Sequence, residues 1–306
     1  MALFCNECSR EVGEQVFGTA PRVDVWLLLE FTGAWGVQAV PESELPPEVK
    51  ARLIGWGDSI PNTKVQLIKQ GEKGAKIPFF VALTSLESPV VYKFDLDSYD
   101  DLLAFDLDAV LRRESRYEDN VHRDPLILVC TNGRRDISCA KYGLPVYQAL
   151  AEQTPGWAWE STHIGGHRFA GTLVTLPDGV YYGRLDVDDV PELVAAQMNR
   201  YLLVERVRGR VVYDQPTQDA DYYLRGITGE RLLDGLRFVS IREIGERHWS
   251  VRFAADDGHT HEVQVRRAPS EWVAYESSTD AEARHFPQFH LVEHAEMRRK
   301  APRCEG

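Results

Sequence analysis

Cysteine is scarce in this 306-residue chain, with five residues, an odd number, spread from Cys5 to Cys304. So few thiols in so long a chain do not build a disulfide framework, and a reducing cytoplasm is the expected compartment. Long apolar runs are also missing. Residues 25–31 make a strand-length stretch, well short of the ~18 apolar residues of a membrane span. The N-terminus, Met1-Ala-Leu-Phe-Cys-Asn-Glu-Cys8, has no basic segment and no long apolar segment, so secretion is unsupported. Positive charge is in deficit, with 35 Lys and Arg against 47 Asp and Glu, a net charge of −12. That balance argues against a nucleic-acid backbone or an anionic membrane as the main partner. It suits plain solubility, or docking onto a basic patch of a redox partner. Neither a Gly-x-Gly-x-x-Gly stretch nor a Gly-Lys-Ser/Thr loop occurs, so no nucleotide site is indicated.

The remaining composition, 43% hydrophobic and 27% charged, is that of a globular protein with room for two or three cores. One pattern runs twice through the first two hundred residues. The first copy has an apolar strand at 24–30, a helix near 45–56 and a strand at 64–69. A hairpin at 78–83 and 90–94 follows, then a helix capped by Asp97 or Ser98 and reaching about Leu111. The second copy has a buried-type strand at 125–129, a helix at 140–153 and a strand at 157–162. A hairpin at 171–185 and a helix at 190–203 complete it. Both copies read β-α-β-β-β-α, so the expected class is α/β (α+β) with tandem thioredoxin-like units. The units are placed at 1–120 and 121–204. A small α+β or β-rich appendage occupies 205–306, with a helix at 222–233 and strands at 238–244, 248–254 and 261–267.

The second copy carries the chemistry. Cys130-Thr-Asn-Gly-Arg-Arg-Asp-Ile-Ser-Cys139 follows its first strand, and His163-Ile-Gly-Gly-His167 follows its second. Two thiolates and two imidazoles suit zinc or an iron–sulfur cluster. Structural zinc sites use cysteines two to four residues apart and put His-x3-His on a helix, whereas Gly165 and Gly166 disfavour a helix here. A diiron cluster needs ligands from two separated loops, which this arrangement provides. The two glycines would let backbone amides approach the inorganic sulfides. A reversible Cys130–Cys139 disulfide is a third option.

On these residues, with Arg168-Phe-Ala-Gly after His167, Gly183-Arg-Leu, and Gly18-Thr-Ala20, Trp26-Leu-Leu-Leu-Glu30 and Trp35-Gly36, the chain resembles the sucrase/ferredoxin-like family. That family is related to thioredoxin-like 2Fe–2S ferredoxins, and the resemblance covers roughly residues 5–203. It implies a 2Fe–2S cluster with Cys130, Cys139, His163 and His167 as ligands and Gly165, Gly166 and Arg168 beside it. Histidines replace the second cysteine pair of such ferredoxins, as in a bis-histidine branch of the family. Neutral imidazoles make reduction easier than four thiolates would, and their free nitrogens could couple electron transfer to protons. The implied role is one-electron carriage between redox proteins, a reductase or an electron acceptor.

Sugar hydrolysis, suggested by the family's name, needs two carboxylates flanking a cleft. Asp95/Asp97/Asp100/Asp101 and Asp186/Asp188/Asp189 sit where helix caps belong, so no sucrase activity is expected. Arg134, Arg135, Lys141 and Arg168 near the ligands read either as local positive potential or as solvated loop charges. Cys5-x2-Cys8 reads as ordinary terminal cysteines that Cys304 could join only through folding. His285, His290 and His294 read as surface residues. The first unit, without Cys or His between Cys8 and His122, is expected to be scaffold or docking surface.

Overall fold

The computed structural model describes residues 4–71 and 74–298. Among them, ten strands form one mixed sheet and four form a separate antiparallel sheet. A short helix α1 (Cys5–Glu11) precedes the first unit, which runs β1 (Val25–Glu30), α2 (Pro47–Ser59), β2 (Thr63–Lys69), β3 (Ile77–Leu83), β4 (Val90–Leu96) and α3 (Leu107–Leu111). After the two-residue strand β5 (Val121–His122), the second unit runs β6 (Leu126–Cys130), α4 (Ile137–Gln153), β7 (Ala158–Ser161), β8 (Leu173–Leu176), β9 (Val180–Tyr182) and α5 (Val190–Asn199).

β1 is buried along its whole length because both its faces are covered. Leu27 and Leu29 pack with Val49, Leu53 and Trp56 of α2. Trp26 and Leu28, one residue out of phase, face the opposite side. A helix crossover makes β1 and β2 parallel, and β3 then pairs antiparallel on the other edge of β1. The resulting order, β2-β1-β3-β4, recurs in the second unit as β7-β6-β8-β9. This is the α/β arrangement that the repeated element pattern predicts. The copies meet edge to edge, with Ile68 opposite Ser161 and Lys69 opposite Glu160.

Beyond residue 204 the large sheet continues, since β10 (Val207–Arg210) pairs with β9. Helix α6 (Gln215–Thr228) and the sheet of β11 (Leu236–Gly245), β12 (His248–Ala255), β13 (His259–Pro269) and β14 (Pro287–Arg298) then cover the face carrying Trp26 and Leu28. Phe253, Val263 and Val265 share a core there with Leu128, Val174 and Tyr181.

Several expected boundaries moved. The helix expected at 222–233 is α6, which starts at Gln215. Asp214 accepts from the Thr217 amide, Pro216 occupies the first turn, and Gly229 stops the helix at φ 75°. The helix expected from Asp97 to Leu111 is two pieces. Ser98 and Asp101 cap a short 3-10 turn, and Asp106, with non-helical backbone, caps α3 separately. α5 ends at Asn199 rather than 203, where Arg200 turns left-handed. Asp186 and Asp189 form a reciprocal cap, as expected of that acidic run. β14 was not anticipated, because its polar, largely exposed residues carry little alternation. Cys304 lies outside the described residues.

Candidate metal centre

Cys130 ends β6 and His163 follows the parallel strand β7, so both lie beyond carboxyl ends of adjacent strands, where α/β sheets place their sites. Cys139 sits in the first turn of α4. That turn is capped by Asp136, whose Oδ1 accepts from the Ser138 amide at 2.9 Å. The loop between the cysteines is held by Asn132, whose side-chain oxygen accepts from the amides of Arg134 and Arg135. Gly143 lies so close that a Cβ there would stand 2.1 Å from the Cys130 carbonyl oxygen, which seats α4 directly on the ligand strand.

Cys130, Cys139 and His163 converge. Their donor atoms lie within 4.8 Å of one another. His163 Nδ1 is 3.7 Å from Cys130 Sγ and 3.6 Å from Cys139 Sγ. Both cysteines are 2% exposed. Hydrogen bonding from Cys139, and after it His163, holds Cys130 well below the usual thiol range against the opposing effect of burial. Cys139 is pushed well above that range, by Cys130 first and burial second.

His167, the fourth expected ligand, is not part of that converged trio: its ring lies 5.0 Å from that of His163, and its donor atom groups with Cys5 and Asp136 instead. It is 9% exposed, and neither ring nitrogen has a hydrogen-bond partner. Burial first, then the His163 charge, lower its pKa to about 4, so the ring is a neutral donor. Its nitrogen also lies within 4.8 Å of Cys5 Sγ and an Asp136 carboxylate oxygen.

The glycines between the histidines take positive φ, 108° at Gly165 and 77° at Gly166. A Cβ at Gly166 would strike the Arg208 guanidinium at 2.5 Å. The close approach is therefore to Arg208, a residue that its distance in sequence concealed. Arg208 is 2% exposed, donates to the carbonyls of Gly165 and Thr19, and has no carboxylate ion-pair partner among the described residues. Burial lowers its pKa to about 10, against smaller opposing effects of Tyr181, Glu14 and Cys130. Burial and the Arg208 charge pull Lys64 below the ordinary lysine range, while Cys130 opposes them. A buried guanidinium without a carboxylate partner, bonded to the Gly165 carbonyl of the histidine loop, fits a chamber that holds net negative charge.

Arg168 points elsewhere, donating to Glu14 at 2.6 Å and stacking against Phe169 and Phe286. Lys141 is paired with Glu7, while Arg134 and Arg135 are exposed. A cleft of about 430 Å³ reaches His163, lined among others by Val37, Val40, Gln66 and Arg135.

Fold and site together define an α/β protein of two similar layered units, the second of which brings two cysteines and a histidine together at the carboxyl ends of its parallel strands. The chain belongs to the sucrase/ferredoxin-like family, whose pattern matches residues 16–213. It is also 30% identical over 107 residues to a Meyerozyma guilliermondii protein named altered inheritance of mitochondria protein 32. That match covers 31% of this chain and 38% of the relative, so the two share well under half of the relative's length. No solved structure matches.

Proposed function

We propose that this protein is a one-electron carrier holding a 2Fe–2S cluster through Cys130, Cys139, His163 and His167. The observation that carries this reading is the convergence of Cys130, Cys139 and His163, with His167, nine-tenths buried and both nitrogens unmatched, standing 5.0 Å ring to ring from His163. A single ion is already satisfied by the converged trio and a water. A second imidazole standing farther off asks for a larger group. Such a cluster, when bound, accepts and releases one electron with little rearrangement.

The chain's own residues do the rest. Cys130, Cys139 and His163 would hold the group from one place, with His167 as the more distant fourth donor. Arg208 sets a fixed positive charge beneath them, which favours the more negative, reduced state. The cleft at His163 gives a partner protein its nearest approach, and the acidic surface suits a reductase or acceptor with a basic patch. Proton coupling through a free imidazole nitrogen would show as a pH-dependent potential. No helix among the described residues is long and apolar enough to cross a membrane. The few, odd-numbered cysteines favour a reducing compartment such as the cytoplasm. Burial of both cysteines disfavours thiol exchange with a protein substrate, because a disulfide partner needs access to the attacking sulfur.

The closeness of the Cys130, Cys139 and His163 donors favours one alternative, a single zinc ion. Anaerobic purification followed by absorption spectroscopy and iron, sulfide and zinc analysis separates the two. A brown protein with iron and sulfide in equal amounts supports the cluster, and a colourless one with stoichiometric zinc overturns it.

A further inference from the structure

The N-terminal helix delivers a third thiol to the metal chamber. Cys5 is fully buried, and the chain returns to it from 131 residues away to meet Asp136. Its Sγ lies 3.8 and 3.9 Å from the Asp136 carboxylate oxygens, 3.7 Å from Ser138 Oγ and 3.4 Å from Ser278 Oγ. The placement is built. Asn6 donates to the Ala170 carbonyl at 2.9 Å and Arg184 donates to Ser9, which pins α1 onto the turn that follows His167. Ser278, from the loop between β13 and β14, closes the other side with its amide and hydroxyl on Asp136. Cys8, one turn along the helix, is only partly buried and belongs to neither donor group.

The second observation is independent of the cysteine. His167 Nδ1 and Nε2 are buried without partners, and one of them lies within 4.8 Å of both Cys5 Sγ and Asp136. His167 thus borders two donor groups, the Cys130–Cys139–His163 trio and the Cys5–Asp136 pair. We infer that Cys5 is an alternative metal ligand at the His167 corner, able to take the place of that imidazole on the group held by Cys130, Cys139 and His163. This rests on the metal-binding reading of those three residues.

The exchange balances without any further reactant. Cys5 would supply a thiolate sulfur where His167 had supplied a neutral nitrogen, and its proton would be released to the buffer, as on any thiol that binds a metal. A neutral donor is replaced by an anionic one, so the three-thiolate state is harder to reduce than the two-thiolate state.

The test compares four full-length proteins: wild type, His167→Ala, Cys5→Ser and the double variant. Each is reconstituted anaerobically with iron and sulfide, and separately titrated with Co2+, whose thiolate-to-cobalt absorption counts bound sulfurs. His167→Ala is expected to keep iron within about two-fold of wild type, while the double variant loses about ten-fold or more in metal affinity. The cobalt band of His167→Ala should carry three thiolates and that of the double variant two. Cys5→Ser alone should retain the wild-type spectrum, with circular dichroism confirming its fold. Wild-type protein that takes up neither iron nor cobalt overturns both this inference and the proposed function. Wild-type protein that binds metal, with His167→Ala and the double variant indistinguishable, overturns the Cys5 assignment alone.

Discussion

Gly143→Ala offers a direct reading of how the ligands are held. Gly143 lies in the interior of α4, where exchange of glycine for alanine ordinarily stabilises by about 1 kcal/mol. Here the added methyl would stand 2.1 Å from the Cys130 carbonyl oxygen and 3.2 Å from its carbon. Ordinary contacts begin at 3.4 Å, so α4 must back away from β6 by about 1.3 Å, and a backbone obstacle cannot rotate aside. Overpacking of this kind costs about 1–3 kcal/mol, which outweighs the helix-propensity gain and leaves a net loss of about 1 kcal/mol. The displacement also carries Cys139, one turn earlier on the same helix, away from Cys130. Metal affinity should therefore fall about ten-fold or more, in the range seen when supports of a metal site are lost. Gly55→Ala is the control, since Gly55 lies in α2 with nothing within 4 Å of its virtual Cβ. It should gain about 0.5–1 kcal/mol and leave metal uptake unchanged. Thermal unfolding of the metal-free proteins and iron content after reconstitution are the two assays. Gly143→Ala protein as stable as the Gly55→Ala control, with full iron uptake, would refute the seating of α4 on the ligand strand.

Arg208→Gln removes the buried charge beneath the ligands, so the potential should become more negative by tens of millivolts, about 59 mV corresponding to ~1.4 kcal/mol for one electron. Redox titration checks this, and Arg208→Lys should recover part of the shift; an unchanged potential contradicts the charge-balance argument. Glu14→Ala strands the mostly buried Arg168, with side chains 1% and 17% exposed at 2.6 Å separation, and should cost about 3 kcal/mol in denaturant unfolding. His261, 4% exposed, has Nδ1 3.1 Å from His294 Nε2. Burial, and after it the His294 charge, lower its pKa from the ordinary 6.5. The unfolded chain thus binds the proton more readily, and this part of the stability is complete above about pH 6.5 and lost as pH falls below it. In His261→Gln protein the slope of stability against pH below about 6.5 should flatten, and an unchanged slope in urea titrations would disprove the assignment.

The nearness of Cys130, Cys139 and His163 was legible because the two cysteines and the histidine follow neighbouring strands, whereas the placing of His167 with Cys5 and Asp136 was not. Strand order within each unit followed from the β-α-β-β-β-α pattern, since a helix crossover makes parallel neighbours and tight turns make antiparallel ones. α6 was misplaced although its signals, Asp214-Gln-Pro216 and Gly229, stand in the sequence; apolar periodicity further along outweighed the caps. Arg208, Asp136 and Cys5 were not legible as parts of one site. Their meeting depends on β10 returning to the sheet edge and α1 packing beside the metal loop, contacts between residues too far apart for any local pattern to register. Gly166 was legible as a place of close approach, but what approaches is a guanidinium from β10.

The ligandless first unit earns a specific role from the seam. β2 and β7 pair antiparallel at their carboxyl ends, so the end of one unit's parallel pair abuts the other's. Thr162, the residue before His163, donates its amide to the Leu67 carbonyl and its hydroxyl to Gln66, while its oxygen accepts from the Leu67 amide. Asn132, in the cysteine loop, donates to the Gly36 carbonyl at 3.1 Å. Both ligand loops are therefore fastened to the first unit as well as to their own. A metal site needs its donors fixed more tightly than exposed loops allow, and a second copy of the same fold, set edge to edge, supplies the anchoring. The residues of the first unit nearest the site, Val37 to Val40, also line the cleft at His163. The same wall that holds the ligands thus shapes the surface through which a partner would reach them.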